Sequence, residues 1–538
     1  MRKKILVLAA LPLVLAFIGG CGGSGHTTPP PSNNVPVVVS ISDTTPAAEE
    51  ALPAGVNLVS VQASVTGVCL LTSSDTGDTT CPTGQTAFPA TGGSPSTVQF
   101  TGLATPSQPD VISNGAVTAN TYVGALVTLG SPLVATVSVD PGDSFSDGTT
   151  TCDNTTGTTP LFCPLAPVAS TTSETVTFPS PITLTAGTPV SIVVGLDVTG
   201  SLTASTSTPP VLAFTPIVTV TQGTTAADGD LIDVNNVTGT VQSISATSLT
   251  LVDSATGLPL TLNIGSGTTV TNYNTVTATC ATANTIGCPQ VGDVVTLSYG
   301  ASNTNPVQFT ALNINGNPGI LSTNAFQGTI IATTPAPEVV VTAVAAGNTV
   351  PGIAVGQVLD LSFTTTPPAV FSNSTGAALP VTQTFASPTD LVVGQNVLID
   401  TSCPTVASVT TCVFTPPAAV TAPTPQGPGS VTADAIELLP SNVSGIVGDL
   451  NSTDLTFTVS GLNSLFTGNG ITGFSGTAST SATYSGSLTA FTDMTSGDTY
   501  FYNGFVLNSG TPSTPALYTI GFWGAPGTGP AAVKAKTR

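Results

Sequence analysis

The hydrophobic positions of this chain fall in short runs separated by residues that favour turns. Runs rich in Val, Ile, Leu and Thr include residues 35–42, 56–68, 190–198 and 248–252, and Gly, Pro, Asn and Asp bound them. Such runs are typical of β-strands. No stretch keeps an amphipathic helical period over three turns, and the 55 Gly and 45 Pro residues would interrupt most helices of that length. The pattern therefore predicts an all-β protein of several domains, built as sandwiches or barrels.

The second half of the chain contains an internal repeat. Its units open with Gly-Thr-Val at 239–241, Gly-Thr-Ile at 328–330 and Gly-Ile-Val at 445–447. Each unit later has a Gly followed by a polar residue before a strand, at 292–293, 394–395 and 497–498. This second Gly supplies a turn or bulge through which a strand coils into the next layer. We predict about three small β-barrels, at 235–320, 324–440 and, most faintly, 441–528, and a disordered tail at 529–538.

The units of this repeat resemble an uncharacterised bacterial family of small barrels that are reminiscent of the OB-fold. The resemblance rests on the strands that open with Gly and on the later pairs of Gly and a polar residue. It implies tandem modules of an exported protein. Likeness of fold does not give a function.

A separate N-terminal domain is predicted over residues 35–222. Its strands occur in the order 35–45, 56–68, 120–123, 182–198 and 214–218. This order resembles a second uncharacterised family, of bacterial lipoprotein domains, in which the opening strand ends in a TDAP-like turn. The resemblance implies an immunoglobulin- or transthyretin-like β-sandwich. Ser42 and Thr45 stand where that family usually has Thr and Ala, and Asn120 stands where it has Gly.

Residues 1–20 have the features of a secretory leader. A basic start is followed by an apolar run from Ile5 to Ile18, whose 14 residues are fewer than the roughly 20 of a membrane-spanning helix. The sequence Ile18-Gly19-Gly20-Cys21 resembles the bacterial lipobox. This resemblance implies cleavage before Cys21 and acylation of its thiol and new amine. The alternative is an ordinary leader with a chance cysteine.

Residues 21–34 are predicted to form a tether between the lipid and the first domain. Gly and Ser make it flexible, and three consecutive Pro residues at 29–31 stiffen it. Several acyl chains would anchor it durably, because each buried methylene is worth about 0.8 kcal/mol. Gly22 stands where some inner-membrane lipoproteins have Asp. We therefore expect an extracytoplasmic protein that is lipid-anchored to the outer membrane.

Cationic side chains are missing from the body of the chain. All six Lys and Arg residues lie in the first four or the last five positions, and His26 is the only histidine. After cleavage the chain would carry 27 acidic and three basic residues, a formal charge of −24. This composition argues against a nucleic-acid partner, Ser-His-Asp or Cys-His catalysis, and zinc or haem held by histidine. Carboxylate chemistry and the binding of hard cations remain open.

The eight cysteines other than Cys21 form four close pairs along the chain. The pairs are Cys69 with Cys81, Cys152 with Cys163, Cys280 with Cys288, and Cys403 with Cys412. Local disulfides fit an oxidising compartment, and each would stabilise the fold by about 2–3 kcal/mol in the chain-entropy model. The alternative is a cysteine-rich metal site, although no pair has the C-x₂-C spacing.

Two acidic clusters are candidate calcium sites, and no other cofactor is expected. The first cluster contains Asp140, Asp143 and Asp147, and the second contains Asp228, Asp230 and Asp233. Carboxylates, amides and carbonyls on loops that contain Gly supply the oxygen ligands of Ca²⁺. The alternative is a set of solvated turns, which Asp and Asn also favour. An ion at the second cluster would rigidify the junction before the first barrel.

Aromatic residues gather near the C-terminal end of the chain. Tyr502, Tyr518 and Trp523 are candidates for a platform on which sugars stack, and the alternative is that alternating members fill the last barrel's core. No feature identifies the carboxylate pair that a glycosidase needs, so we expect no enzyme. We predict a structural, adhesive or binding role in the cell envelope, with a polysaccharide or protein partner. The alternative is a polysaccharide-binding surface lipoprotein.

Overall fold

The computed structural model of the protein consists largely of β-strands. The residues it describes are 33–44, 52–88, 96–101, 110–157, 161–169, 173–198, 200–223, 225–226, 229–253, 258–271, 289, 291, 293–316, 325–344, 353, 356–366, 368–373, 379–380, 383–401, 405–406, 409–410, 414–415, 429–462, 464–486 and 488–524. Within these ranges the helices are the short α1 (Ser464–Gly468) and two 3₁₀ turns, Pro388–Asp390 and Phe491–Asp493. The prediction of an all-β protein is confirmed. The leader, Cys21, most of the tether and the tail at 529–538 lie outside the described residues.

Among the described residues, the N-terminal domain contains fifteen strands. They are β1 (Asn34–Asp43), β2 (Val56–Leu71), β3 (Thr86–Phe88), β4 (Ser96–Thr101), β5 (Asp110–Thr118), β6 (Thr121–Val139), β7 (Ser144–Ser146), β8 (Thr151–Asp153), β9 (Leu161–Leu165), β10 (Val168–Ala169), β11 (Ser173–Thr183), β12 (Val190–Leu196), β13 (Leu202–Ala204), β14 (Leu212–Phe214) and β15 (Val218–Gln222). One large sheet has the order β15-β12-β1-β5, and the other has β11-β6-β2-β3, with β4 beside β2 and β9 beside β6. Two small sheets are β10-β14-β13 and β7-β8.

Both large sheets contribute to one core. Val37 and Val39 of β1, Val61 of β2 and Val127 of β6 belong to the same hydrophobic cluster. The run from Val35 to Asp43 is buried on both faces except at Pro36, which is half-buried. Its first half, residues 35–39, is the continuous apolar run expected for a strand that is covered on both sides, whereas Ser40, Ser42 and Asp43 are buried polar residues. The immunoglobulin- or transthyretin-like sandwich stays a prediction.

Three groups of strands follow, one for each predicted barrel. The first contains β16 (Ile232–Ile244), β17 (Ser248–Asp253), β18 (Pro259–Asn263), β19 (Thr269–Thr271), β20 (Val294–Ala301) and β21 (Phe309–Gly316). The second contains β22 (Ala325–Ala332), β23 (Glu338–Val344), β24 (Val358–Phe363), β25 (Val370–Asn373), β26 (Asn396–Thr401), β27 (Thr405–Val406), β28 (Val409–Thr410), β29 (Phe414–Thr415) and β30 (Gly429–Leu439). The third contains β31 (Ser441–Asn451), β32 (Thr456–Ser460), β33 (Phe474–Gly486), β34 (Thr499–Leu507) and β35 (Ala516–Gly524).

Each group closes into a small barrel with the same connectivity. The closed orders are β16-β17-β18-β21-β20, β22-β23-β24-β30-β26 and β31-β32-β33-β35-β34. If the five strands of each barrel are numbered along the chain, the order is 1-2-3-5-4, and strands 3 and 5 are parallel. Each barrel therefore combines four antiparallel pairs with one parallel pair, and the likeness to OB-type barrels stays a prediction. The prediction of small barrels is confirmed, including the third, whose signal in the sequence is the faintest.

The opening glycines of the repeat allow two strands to approach closely. A Cβ placed on Gly239, Gly328 or Gly445 would lie 2.6–2.7 Å from a carbonyl oxygen of the paired strand. The residue two positions after each opening glycine makes a hydrogen bond that recurs in all three barrels. Its backbone N–H donates, over 2.8–2.9 Å, to the backbone carbonyl of the polar residue that follows the second glycine of the repeat. These donor and acceptor pairs are Val241 with Asp293, Ile330 with Gln395 and Val447 with Asp498. The repeat in the sequence is therefore a repeat of backbone geometry.

The N-terminal domain and the barrels pack against one another. Val38 of β1 belongs to the hydrophobic cluster of the first barrel, and Val59 of β2 belongs to that of the third. The Thr136 hydroxyl of β6 donates a hydrogen bond of 2.7 Å to the carbonyl of Gly356 in the second barrel. Phe505 of the third barrel lies in the cluster of the second. The N-terminal domain thus contacts all three barrels.

Candidate functional site

The late aromatic residues divide between the two faces of the third barrel's sheet. Tyr502 and Phe522 belong to the barrel core, and Tyr502 has no exposed surface. Burial raises the pKa of the Tyr502 hydroxyl far above its usual value, with a further effect of Tyr500. Tyr502 therefore offers no ring face to a sugar, and its prediction as a stacking residue is wrong. The strand's alternation places Tyr502 inside the barrel, as the alternative from the sequence proposed.

The other two predicted stacking residues lie on the outer face. Tyr518 is half-buried and packs against the core of the second barrel. Trp523 is also half-buried, and its ring centroid lies 4.8 Å from that of Phe501, with the ring planes at 65°. Phe501 itself is only 7% exposed. The Phe501–Trp523 pair is thus an ordered aromatic site with part of its tryptophan open.

The first acidic cluster forms hydrogen-bonded turns. The Asp147 carboxylate accepts hydrogen bonds from the backbone N–H groups of Thr149, Thr150 and Ala166, at 2.8, 2.6 and 2.9 Å. Burial works against ionisation of Asp147, but the bonds from Thr150, Thr149 and Ala166 outweigh it and hold its pKa below the usual value. Asp140 and Asp143 lie beside the turn at Gly55. These contacts suit the alternative of turn residues, and calcium here stays a prediction.

Part of the second acidic cluster lies at the start of the first barrel. The carboxylates of Asp230 and Asp233 both approach Gly300 of β20, and the Asp233 oxygen lies 3.2 Å from where a Cβ of Gly300 would be. Asp228 lies outside the described residues. Calcium at this junction also stays a prediction. Among the described residues, no group of three or more His, Cys, Asp or Glu side chains is arranged to hold a metal ion.

Carboxylates that are buried or half-buried in the second barrel form a feature that was not expected from the sequence. Glu437 of β30 is 2% exposed, and its Oε2 atom has no hydrogen-bond partner in the structure. Burial raises its pKa to about 7. Glu338 of β23 lies directly opposite Asp360 of β24, and burial, with the charge of Asp360, raises the pKa of Glu338 to about 7. The only signal of these sites in the sequence is an acidic residue inside an apolar run.

A further carboxylate pair, the half-buried Asp110 and the buried Asp253, lies where the N-terminal domain meets the first barrel. Burial, followed by the charge of Asp253, raises the pKa of Asp110 to about 8. The hydroxyl of Tyr299, in the barrel core, has a pKa well above its usual value because of burial and then of Asp253 and Asp110. Since no Lys or Arg lies between Lys4 and Lys534, no such cation from the body of the chain can neutralise these acids. Burial and the neighbouring acids therefore raise these pKa values, and no Lys or Arg from the body of the chain offsets the effect.

Two of the four predicted cysteine pairs are adjacent in the structure. Cys69 and Cys81 have Cα atoms 5.6 Å apart, and Cys152 and Cys163 have Cα atoms 6.0 Å apart, with the sulfur atoms at bonding distance. Both separations are ordinary for disulfides. The other two pairs, Cys280 with Cys288 and Cys403 with Cys412, lie outside the described residues.

Comparisons with known proteins do not assign the chain to a family. No family model matches the chain, no curated protein matches its sequence, and no solved structure matches its fold. The described part of the chain contains no helix long and apolar enough to cross a membrane. The candidate sites above are therefore interpreted from their own chemistry.

Proposed function

We propose that this protein is a lipid-anchored, extracytoplasmic component of the cell envelope with a structural, adhesive or binding role and no catalytic activity. In this proposal the lipid is carried by Cys21 and inserts in the outer membrane. Residues 21–34 separate the anchor from a body of one N-terminal domain and three barrels. The partner is an envelope polysaccharide or another protein.

The observation that carries the proposal is the docking of all three barrels onto the N-terminal domain. The hydrophobic cluster of the third barrel includes Val59 and Phe162 of the N-terminal domain and Val340 of the second barrel. Such apolar contacts hold modules in fixed positions, whereas modules joined only by linkers move independently. A rigid body on a flexible tether suits a protein that presents a surface at a distance from a membrane.

Two further features support an extracytoplasmic location. The two cysteine pairs at disulfide distance would close short loops in an oxidising compartment. Charged residues are only 6% of the sequence, so uncharged polar residues must provide most of the surface. With no Lys or Arg from residue 5 to residue 533, trypsin-like proteases find no cleavage site in the body.

Fractionation of cells that produce the full-length protein tests this proposal. The wild-type protein should be found in the outer-membrane fraction, and detergent should be needed to extract it. The Cys21→Ser variant should lose the anchor, whereas a Gly25→Ser control in the tether should keep it. Recovery of the wild type and Cys21→Ser in the same cytosolic fraction would contradict the proposal.

A further inference from the structure

We infer that the outer face of the third barrel around Trp523 binds a neutral polysaccharide chain. The Trp523 face consists of Phe501, Trp523, Asn442, Asn503 and Thr483. This inference rests on the proposed binding role and names its ligand class. It differs from the platform expected from the sequence, because Tyr502 and Tyr518 do not take part and two amide side chains do.

Strand pairing brings these residues onto one face. Phe501 of β34 lies directly opposite Trp523 of β35. Two residues along β34, Asn503 lies between Asn442 of β31 on one side and Gly521 of β35 on the other. Gly521 is in turn paired with Thr483 of β33. Directly paired residues point to the same side of a sheet. Because the alternate residues Tyr502 and Phe522 fill the barrel, this row and the aromatic pair both point outwards.

The aromatic pair is held ready to stack a sugar ring. Phe501 is nearly buried, and its edge-to-face contact fixes the plane of Trp523 while part of Trp523 stays exposed. A pyranose ring has an apolar face of C–H groups, which the face of an aromatic ring covers well. Since the tryptophan is already ordered, less conformational entropy is lost when the sugar binds.

The neighbouring row supplies partners for sugar hydroxyls. The Asn503 amide donates a hydrogen bond of 2.9 Å to the Asn442 carbonyl oxygen, so each amide is oriented and keeps further donor and acceptor capacity. Gly521 allows the row to be compact, since a Cβ there would lie 3.1 Å from the Thr483 hydroxyl and 3.4 Å from Cβ of Asn503, and the side chains of Asn503 and Thr483 lie close together above it. A chain that stacks on Trp523 would place its hydroxyl groups over this row of amide and hydroxyl side chains. The aromatic pair thus suits the apolar C–H face of a sugar ring, and the row of Asn442, Asn503 and Thr483 suits its hydroxyl groups.

Charge selects between neutral and acidic polysaccharides. None of the five residues of the Trp523 face carries a charge, and the mature body has a formal charge of about −24. A polyanion would be repelled and would find no Lys or Arg between residues 5 and 533 to bind its carboxylates or sulfates. The ligand is therefore a neutral glycan.

The only tryptophan of the chain makes this inference directly measurable. Emission of the full-length, detergent-extracted protein reports on Trp523 alone. Titration with cellohexaose, xylohexaose, maltohexaose and chitohexaose should give, for at least one sugar, a saturable shift in emission and protection from acrylamide quenching. Polygalacturonate, as the acidic comparison, should give neither effect. No change with any of the four neutral sugars would overturn the inference, and the membrane anchoring proposed above would be unaffected.

Variants locate the site by pull-down on the matching insoluble polysaccharide. Trp523→Ala should weaken binding by about tenfold or more, since tryptophans at the centre of a contact are among the costliest residues to truncate. Trp523→Phe should retain part of the binding, which separates stacking from a general loss of fold. Asn503→Ala should also weaken binding, whereas Asn263→Ala, an exposed strand amide of the first barrel that contacts Gln308, should not. Unchanged binding by a folded Trp523→Ala variant would overturn the inference.

Discussion

Replacement of Asp110 by Asn tests how a body without Lys or Arg tolerates an acidic side chain that is half-buried beside another acid. Asp110 begins β5, close to Asp253 of the first barrel, and burial followed by the charge of Asp253 raises its pKa to about 8. In the unfolded chain the carboxyl has its ordinary pKa of 3.8. Asn has nearly the same shape and cannot ionise. The substitution therefore removes the cost of ionisation and leaves the packing almost unchanged.

The sign of the effect follows from proton linkage. Between about pH 4 and pH 8 the folded protein retains a proton on Asp110 that the unfolded chain has released. The free energy of unfolding therefore has its full value, as far as Asp110 is concerned, below about pH 4. It falls as the pH rises towards 8, because the folded protein still holds a proton that the unfolded chain has already released. The slope from this one group is at most about 1.4 kcal/mol per pH unit. Because buried sites relax and admit water, we expect Asp110→Asn to be more stable than the wild type by about 2 kcal/mol at pH 8.

Unfolding midpoints measured by calorimetry at pH 5 and pH 8 provide the assay. The difference between Asp110→Asn and the wild type should be small at pH 5 and favour the variant at pH 8. Asp75→Asn is the matched control, for which the expected change in stability has the opposite sign. Hydrogen bonds from Thr72 and Gln85 stabilise the ionised Asp75 carboxylate and lower its pKa to about 2. That control should be less stable than the wild type at both pH values. A pH dependence of Asp110→Asn equal to that of the wild type would refute the reasoning.

Three other predictions concern the repeat, the domain contacts and the junction. Gly239→Ala should lower the unfolding midpoint and reduce the free energy of unfolding by about 1–3 kcal/mol, because the new Cβ would lie 2.6 Å from a carbonyl oxygen. The control Gly267→Ala should leave the midpoint unchanged, because a Cβ at Gly267 meets no atom within 4 Å. Thr136→Val should cost about 1–3 kcal/mol in chemical denaturation because it leaves the Gly356 carbonyl without its partner, and equal stability would contradict this. The calcium hypothesis predicts a higher melting midpoint in millimolar Ca²⁺ than in chelator, and an unchanged midpoint would dismiss it.

The barrels could be predicted from the sequence because their constraint is local. Gly239, Gly328 and Gly445 occupy positions where a side chain would collide with the next strand, so the same residue recurs at the same place. Gly394 and Gly497 have φ values of +92° and +95°, which glycine adopts at little cost. A backbone requirement of this kind leaves a pattern in the sequence even when the rest of the unit has diverged.

The contacts between modules could not be predicted in the same way. Val38 and Val59 are apolar residues in apolar strands, and the sequence does not indicate that they pack against barrels far along the chain. Alternation shows that Phe501 and Tyr502 face opposite sides, but it does not show which side is the barrel interior. The position of Tyr502 therefore depends on how the strands close into a barrel, which is a long-range property of the fold.

The N-terminal peptide of the native protein tests the central claim most directly. The first acidic residue is Asp43, so an Asp-directed protease releases one peptide that ends before it. Mass spectrometry of the protein extracted from membranes should show this peptide beginning at Cys21, with acyl chains on its thiol and its amine. A peptide that begins at Met1 and carries an unmodified thiol at Cys21, in protein recovered from the cytosol, would contradict the account.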